Sequence, residues 1–268
     1  MLYDAKNIRV KFPDSDMDCL RFGTGKEVLI MLPGLGDGLR SSKGMALPMA
    51  LLYRMYAKDY TVYMFSRKNR MPPDAATRDM ARHVKQAMDA LGIEKAHVLG
   101  VSMGGMIAQH LAAAYPEKVE KLILVVTAAR PNAILTESVT EWMQQARDGD
   151  HRALMDSNLK RIYSDGYYRR NKWLVPILGK ATKPDSYDRF LIMARACLSH
   201  DAFDRLPTIT APTMVMGGEL DNTLGGEASR EIAAAIPGAV LRMFPRWGHS
   251  LYEEAPEFHG EVMEFLKK

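Results

Sequence analysis

Short apolar segments alternate along this chain with segments in which apolar residues recur every three or four positions. A short, continuous apolar segment predicts a buried strand, whereas the longer recurrence predicts a helix with one buried face. Alternation of the two is typical of a mostly parallel sheet with right-handed connections and helices on both faces. The predicted strands span residues 7–12, 17–22, 28–32, 60–65, 96–99, 122–126, 213–216 and 240–244.

The predicted helices lie between these strands. Thr77 is expected to cap the second of them, and Gly92 to end it, because glycine readily adopts the left-handed conformation that terminates many helices. Pro256 is expected to open the last helix of the chain. Before that last helix, the predicted helices span residues 45–58, 77–91, 103–114 and 227–236.

The alternation stops after Val126. Residues 130–205 contain helical patterns and no convincing strand, and the strand pattern resumes only afterwards. We therefore expect one α/β core domain, built from residues 1–129 and 206–268, with residues 130–205 as a helical insertion that caps the site. The alternative is that the insertion packs to one side of the core and covers nothing.

The turn at the end of one predicted strand carries the strongest candidate chemistry. The segment Gly100–Gly104 matches G-x-S-x-G, with a predicted strand before it and a predicted helix after it. A strand that runs directly into a helix forces the residue at the apex into a strained conformation and turns its side chain outward. The helix N-terminus adds partial positive charge beside the hydroxyl. We interpret Ser102 as a nucleophile; the alternative is a serine that only caps the helix.

A serine hydroxyl is a weak nucleophile at neutral pH, so it needs a base and an acid that orients the base. Of the seven histidines, only His249 follows a terminal core strand in a loop. Glu219 and Asp221 both follow the preceding strand, and both are candidate acids. The carboxyl ends of parallel strands share one edge of a sheet, where Ser102 and the glycine-rich loop Gly34–Gly38 are also expected.

Four short motifs occur in a defined order along the chain. They are Leu32-Pro33-Gly34, the turn Gly100–Gly104, Gly218-Glu219-Leu220-Asp221 and Gly248-His249. In this order they resemble the α/β-hydrolase superfamily, in particular serine esterases and lactonases with a helical cap, and the resemblance covers essentially the whole chain. It implies Ser102 as nucleophile, His249 as base and Asp221 as acid. It also implies an oxyanion hole formed by the backbone N–H groups of Leu35 and Met103.

The resemblance implies acyl transfer in two steps, without a metal or an organic cofactor. We expect a serine hydrolase that cleaves a carboxylic ester of a small or medium-sized substrate through an acyl-enzyme on Ser102. A lactonase or a C–C bond hydrolase using the same residues is the nearest alternative, and a non-catalytic receptor or interaction protein is a third. The chain departs from many relatives in having Pro33-Gly34 where they have His-Gly, and in lacking a proline in residues 222–226.

Composition narrows the function classes further. Apolar residues make up 47% of the 268 residues, which is enough for a sizeable core. The net charge is +4, and no dense run of lysine and arginine indicates nucleic-acid binding. The two cysteines, Cys19 and Cys197, indicate neither a disulfide framework nor a metal site. No signal-peptide pattern or membrane-spanning run is present, so we expect a cytoplasmic enzyme acting on a small molecule. The oligomeric state cannot be read from the sequence.

Overall fold

One eight-stranded sheet forms the centre of the part of the chain that the structure describes, which is residues 2–268 apart from the side chains of residues 178, 180 and 181. The structure is a computed structural model. Its strands are β1 (Lys6–Lys11), β2 (Asp16–Phe22), β3 (Glu27–Leu32), β4 (Tyr60–Lys68), β5 (Ala96–Val101), β6 (Val119–Val125), β7 (Thr213–Gly218) and β8 (Val240–Phe244). They lie in the order β1-β2-β4-β3-β5-β6-β7-β8. The pairs β1–β2 and β2–β4 are antiparallel, and all other neighbours are parallel.

Helices connect the strands and cover the sheet. They are α1 (Ala46–Leu52), α2 (Thr77–Ala90), α3 (Met103–Ala114), α4 (Ala133–Arg147), α5 (His151–Ile162), α6 (Asp165–Asn171), α7 (Val175–Thr182), α8 (Asp188–Leu198), α9 (Glu227–Ala235), α10 (Leu251–Glu254) and α11 (Phe258–Lys267). Short 3-10 helices lie at Leu2–Asp4, Leu35–Gly38, Pro116–Lys118, Lys172–Leu174 and Phe203–Thr208. Within residues 2–268, none of these helices has the length and apolar character needed to cross a membrane.

Side chains that alternate along the strands pack against different helices. In β3, Ile30 and Leu32 join the apolar layer that contains α2, α3 and α9, whereas Leu29 and Met31 join the layer of α1 and α11. All four side chains are buried, as expected of parallel strands that are covered on both faces. The predicted fold class, a mostly parallel sheet with helices on both faces, is therefore confirmed.

Two local predictions are wrong. The helix predicted over residues 45–58 ends at Leu52, because the following residues wind into separate turns that bury Tyr56 before β4 begins. Thr77 does not cap α2. The Ala76 N–H donates to the Asp79 carboxylate at 3.0 Å, while the Thr77 hydroxyl pairs with His200 Nδ1 at 2.9 Å. Gly92 ends α2 as predicted, with a φ of 68°.

Five helices, α4 to α8, lie between β6 and β7, and the described chain forms no strand in this interval. One apolar face of α4 and one of α8 are buried in the layer that also contains α2 and α3. In addition, α8 packs on the loop after β3. A Cβ on Gly38 would lie 2.8 Å from the Phe190 Cα, so only glycine permits this close approach. The residues of the two faces are Val139, Trp142, Met143 and Ala146, and Phe190, Met193, Ala194 and Cys197.

Candidate active site

The turn between β5 and α3 brings Ser102 to the carboxyl edge of the sheet. Ser102 has a φ of 53° and a ψ of −120°, a conformation that strains any residue with a side chain. Two glycines make the turn possible. A Cβ on Gly104 would lie 1.9 Å from the Leu32 carbonyl oxygen, and one on Gly100 would lie 2.5 Å from the Gly104 carbonyl oxygen. The tight strand–turn–helix that the sequence predicted is present, and Ser102 remains partly exposed.

Ser102, His249 and Asp221 form a hydrogen-bonded row, here called the Ser–His–Asp row. Ser102 Oγ lies 3.1 Å from His249 Nε2, and His249 Nδ1 lies 2.8 Å from Asp221 Oδ2. His249 and Asp221 are only 4% and 6% exposed. With a proton on Nδ1 donated to Asp221, Nε2 is free to accept the serine proton.

Asp221, and not Glu219, is the carboxylate that reaches His249. Its second oxygen, Oδ1, accepts the backbone N–H groups of Thr223 at 2.8 Å and Leu224 at 2.9 Å. These two bonds fix the carboxylate and leave Oδ2 for the imidazole. Glu219 instead pairs with Arg230 at the surface. The residue pattern left both acids open, and the fold separates them.

The loop after β3 passes directly beside the Ser102 hydroxyl. A Cβ on Gly34 would lie 3.9 Å from Ser102 Oγ. Leu35 is the first residue of the 3-10 helix in this loop, and Met103 is the first residue of α3. The N–H groups of first residues have no acceptor within their helix. Both N–H groups thus lack an acceptor within their helix, which is a condition for the oxyanion hole that we expect from the sequence.

Two arginines from distant parts of the chain hold the loop of residues 33–38, which we call the oxyanion loop after its expected role. We call Asp37, Arg67 and Arg189 the loop clamp. The Asp37 carboxylate, which is 2% exposed, accepts the Arg67 N–H at 2.9 Å and forms an ion pair with Arg189 at 2.6 Å. The guanidinium of Arg67 donates to the Pro33 carbonyl, and that of Arg189 donates to the Asp37 carbonyl. Burial lowers the pKa of Arg67 to about 10, which still leaves the group charged at neutral pH. Charge-assisted bonds thus tie the loop to β4 and α8.

The loop that carries His249 is tied to the segment between α5 and α6. Glu254 accepts the Ser164 N–H at 3.0 Å and the Ser164 hydroxyl at 2.7 Å, and it also accepts the Ser250 hydroxyl. The Ser250 N–H donates to the Ile162 carbonyl at 3.0 Å. Because Ser250 directly follows His249, these bonds link residues 162–164 to the position of the imidazole.

Neither cysteine competes with Ser102 as a nucleophile. Cys19 and Cys197 are free and buried. Burial raises the pKa of both thiols, that of Cys197 to about 12, so both are protonated and unreactive at neutral pH. In the described part of the chain, no three His, Cys, Asp or Glu side chains come together in a way that could hold a metal ion.

Sequence reasoning missed the residues that hold the loops. A signal existed for two of them. Asp37 is the one charged residue of the glycine-rich loop, and Arg67 lies two positions after the predicted strand 60–65, where a charge that becomes buried needs a partner. No local signal joins Arg189 to Asp37, because 152 positions separate them. Glu254 was likewise not distinguished from the other acids near the end of the chain.

Comparison with known proteins adds the family to this geometry. The family model for the alpha/beta hydrolase fold matches residues 27–256 of the chain. The chain belongs to the α/β-hydrolase family. It is a hydrolase, as the sequence predicted.

The relatives of this α/β hydrolase include enzymes with named substrates. A 2-hydroxy-6-oxononadienedioate/2-hydroxy-6-oxononatrienedioate hydrolase of Cupriavidus pinatubonensis is 28% identical over 98% of this chain and 95% of its own length. Among solved structures, the enol-lactonase from Burkholderia xenovorans has a TM-score of 0.81 at 23% identity, covering 97% of this chain and 100% of its own. An alpha/beta hydrolase from a Medee basin deep-sea metagenome library has a TM-score of 0.84 at 21% identity, covering 97% and 98%. The two solved structures share the fold.

Proposed function

We propose that this hydrolase cleaves an uncharged carboxylic ester of small or medium size through an acyl-enzyme on Ser102. The observation that carries the proposal is the Ser–His–Asp row, with its distances of 3.1 Å and 2.8 Å. It supplies a nucleophile, a base and an acid that orients the base, in the sequence that acyl transfer requires. The substrate is a small molecule, as for the named relatives.

In the first step, Ser102 Oγ attacks the ester carbonyl carbon and its proton passes to His249 Nε2. The carbonyl oxygen becomes an oxyanion, which the N–H groups of Leu35 and Met103 stabilise. One such donor contributes about 3–4 kcal/mol in comparable enzymes. Asp221 stabilises the imidazolium through Nδ1–H. His249 then protonates the alcohol oxygen, the C–O bond breaks and the alcohol leaves.

In the second step, water takes the place of the alcohol. His249 removes a proton from the water, and the resulting hydroxide attacks the acyl carbon of the Ser102 ester. The same two N–H groups stabilise the second oxyanion. When it collapses, His249 returns its proton to Ser102 Oγ and the carboxylic acid is released. Every proton transfer in this scheme uses one nitrogen, Nε2.

The charges near the site favour an uncharged substrate. Arg67 and Arg189 approach the oxyanion loop, but both are engaged by the loop itself, through the Pro33 carbonyl and Asp37. A substrate carboxylate would have to displace the buried Asp37 carboxylate to pair with Arg189, and the Arg67 guanidinium is buried and bound to backbone carbonyls. Loss of such a buried partner is expensive. This observation favours an ester or a lactone over a dicarboxylate.

Hydrolysis of a C–C bond is the second candidate. It is favoured by the curated relatives, whose named substrates are dienedioates and trienedioates with a keto group and no ester linkage. The Ser–His–Asp row could attack a ketone carbonyl as well as an ester carbonyl. We rank C–C bond hydrolysis second because the two arginines near the site are already bound to the oxyanion loop. The two carboxylates of such a substrate would find no free cation among the groups described above.

We also propose that residues 130–205 form a cap over the site, with residues 1–129 and 206–268 as the core. Two contacts support this. Arg189 of α8 pairs with the oxyanion loop, and Ser164 is bonded to the loop that carries His249. One contact is made to the loop that passes beside Ser102 and the other to the loop that follows His249, so the insertion borders the space where a substrate must bind.

Initial rates on three substrates separate the candidates. The substrates are the ester p-nitrophenyl butyrate, the lactone dihydrocoumarin and 2-hydroxy-6-oxononadienedioate. Each is tested with the wild type and with Ser102→Ala. The proposal expects the highest kcat/KM for the ester or the lactone, and its loss in Ser102→Ala. A kcat/KM for the dienedioate at least 100-fold above both others would replace ester hydrolysis with C–C bond hydrolysis. Turnover of the ester by Ser102→Ala at the wild-type rate would contradict both.

A further inference from the structure

An apolar pocket lies beside Ser102, on the face of the sheet that α1 and α11 cover. Its volume is about 200 Å³. Gly34 and Val101, which flank Ser102 in the oxyanion loop and the turn, line one end of it. Met31 and Leu99 lie two or three residues further back along β3 and β5. The pocket therefore runs away from Ser102 along the sheet for about 7 Å, the length of two strand residues.

The walls of the pocket are apolar and adaptable. Met49 of α1 and Met64 of β4 contribute thioether side chains, which fit groups of varied shape. At the far end, the Tyr56 hydroxyl and His259 Nδ1 lie 2.9 Å apart and satisfy each other. Tyr56 and Phe258 are almost completely buried, so this end lies inside the protein. The pocket thus begins beside Ser102 and reaches inward to these buried rings, while the exposed Glu253 borders it as well.

The charges of the lining groups exclude an anion. Within the described residues, neither lysine nor arginine lines the pocket, whereas Glu253 does. Burial raises the pKa of Tyr53 to about 12 and lowers that of His259, so both side chains are neutral at neutral pH. A carboxylate placed here would lose its hydration without gaining a cation. An alkyl or phenyl group would bury apolar surface at no such cost.

We propose that this pocket binds the uncharged, apolar acyl group of the substrate, a chain of about six carbons or a phenyl ring. The proposal rests on ester hydrolysis at Ser102. A cavity of about 150 Å³ in another protein accommodates benzene, so this volume suits a slightly larger group. The alcohol must leave before water can attack, whereas the acyl group stays bonded to Ser102 until the second step. A pocket that reaches into the protein from beside Ser102 fits the group that stays, which makes Met49 a specificity-determining residue.

Narrowing the pocket tests the proposal. The wild type should hydrolyse p-nitrophenyl hexanoate with a kcat/KM at least tenfold above that for p-nitrophenyl acetate. Met49→Trp fills the pocket and should lower this hexanoate-to-acetate ratio at least tenfold. Met49→Phe should lower the ratio less. This variant replaces Met49→Trp in the experiment if the tryptophan variant does not fold. Met55→Trp is the matched control, because Met55 is exposed and does not line the pocket. An unchanged ratio in a folded Met49 variant overturns the proposal.

A binding measurement separates this proposal from the reaction itself. Methyl hexanoate and monomethyl adipate differ only in a terminal methyl or carboxylate, and Ser102→Ala cannot consume either through Ser102. Saturation-transfer NMR on Ser102→Ala should show contact with the hexanoate methyl group and none with the adipate. The added Met49→Trp should remove the hexanoate signal. Inactivity of the wild type on esters, with this binding intact, would refute the reaction but not the pocket. Equal binding of the adipate would refute the pocket's preference for an uncharged group.

Discussion

The Ser–His–Asp row and the oxyanion loop lie side by side, but different interactions hold them in place. Backbone geometry holds the row, because glycines shape the turn at Ser102 and two backbone N–H groups fix Asp221. Side-chain charge holds the loop, because the Asp37 carboxylate pairs with Arg189 and the Arg67 guanidinium donates to the Pro33 carbonyl. The row is built into the core, whereas one arm of the clamp comes from α8 between β6 and β7.

This difference has a consequence for how the site responds to change. Breaking the clamp should move the Leu35 N–H while the nucleophile, base and acid keep their places. Breaking the row should stop proton transfer while the oxyanion loop keeps its shape. Activity, stability and pH measurements can therefore distinguish damage to the two parts.

The largest effect is expected from the acid of the row. Asp221→Asn keeps the shape of the side chain but removes the charge that orients and stabilises the imidazole. We expect kcat to fall by about 10⁴. Glu219→Gln is the matched control and should stay within threefold of wild type, since Glu219 pairs with Arg230 and does not reach His249. Steady-state kinetics on an ester checks both. If kcat falls strongly in Glu219→Gln but not in Asp221→Asn, then Glu219 and not Asp221 is the acid.

The next effect is expected from the clamp. Arg189→Met leaves the buried Asp37 carboxylate without its ion pair. Loss of one oxyanion donor costs about 10²–10³ in kcat, and partial misplacement of the loop should cost less, about 10- to 100-fold, with KM changed little. The free energy of unfolding should fall by about 3 kcal/mol, because a buried charge loses its partner. Steady-state kinetics and denaturant unfolding measure the two effects.

Two further variants decide whether the clamp acts as described. Arg195→Met removes an exposed arginine from the same helix, and it should change neither kcat nor stability appreciably. The double variant Asp37→Asn with Arg189→Met removes both charges, so it should regain part of the stability that Arg189→Met loses. If Arg189→Met lowers stability but leaves kcat at the wild-type value, the clamp supports the fold and not the oxyanion loop.

A smaller effect is expected where the insertion meets the row. Glu254→Gln weakens the bonds to Ser164 and Ser250 but leaves an acceptor of the same shape, so kcat should fall only about two- to tenfold. Glu257→Gln, at an exposed position in the same part of the chain, serves as the control. A loss in Glu254→Gln as large as in Arg189→Met would break the comparison, because the row would then depend on side-chain ties as much as the loop does.

The smallest effect on catalysis is expected from a residue away from both parts of the site, which instead links the stability of the fold to acid. Burial lowers the pKa of His200 to about 3, whereas a histidine in the unfolded chain takes up its proton near pH 6.5. Between these values the unfolded chain binds more protons, so the free energy of unfolding falls as the pH falls. His200→Gln should reduce the slope of the free energy of unfolding against pH. The reduction is at most about 1.4 kcal/mol per pH unit, which corresponds to one proton. Thermal unfolding from pH 7 to pH 4 measures the slope. An unchanged slope would show that His200 takes up its proton in the folded protein as readily as in the unfolded chain.

The sequence predicted what depends on local pattern. Strands such as β3 and β5 and the turn at Ser102 follow from apolar runs and from glycines within a few residues. The geometry of His249 and Asp221 follows less directly, because only the order of strands in the sheet brings their loops together. The clamp was not predictable. Its ion pair joins Asp37 to a residue 152 positions away, and only the docking of α8 on the loop creates it. The shortened α1 was missed because the packing of Tyr56 outweighs helix propensity there.

Covalent labelling at Ser102 tests the central claim most directly. A fluorophosphonate reacts with a serine only when a base activates it and donors stabilise the oxygen that becomes negatively charged. Intact mass spectrometry of the wild type should show one adduct per chain, which peptide mapping locates at Ser102, and Ser102→Ala should show none. An adduct at another residue, or one stoichiometric adduct in Ser102→Ala, would contradict the account.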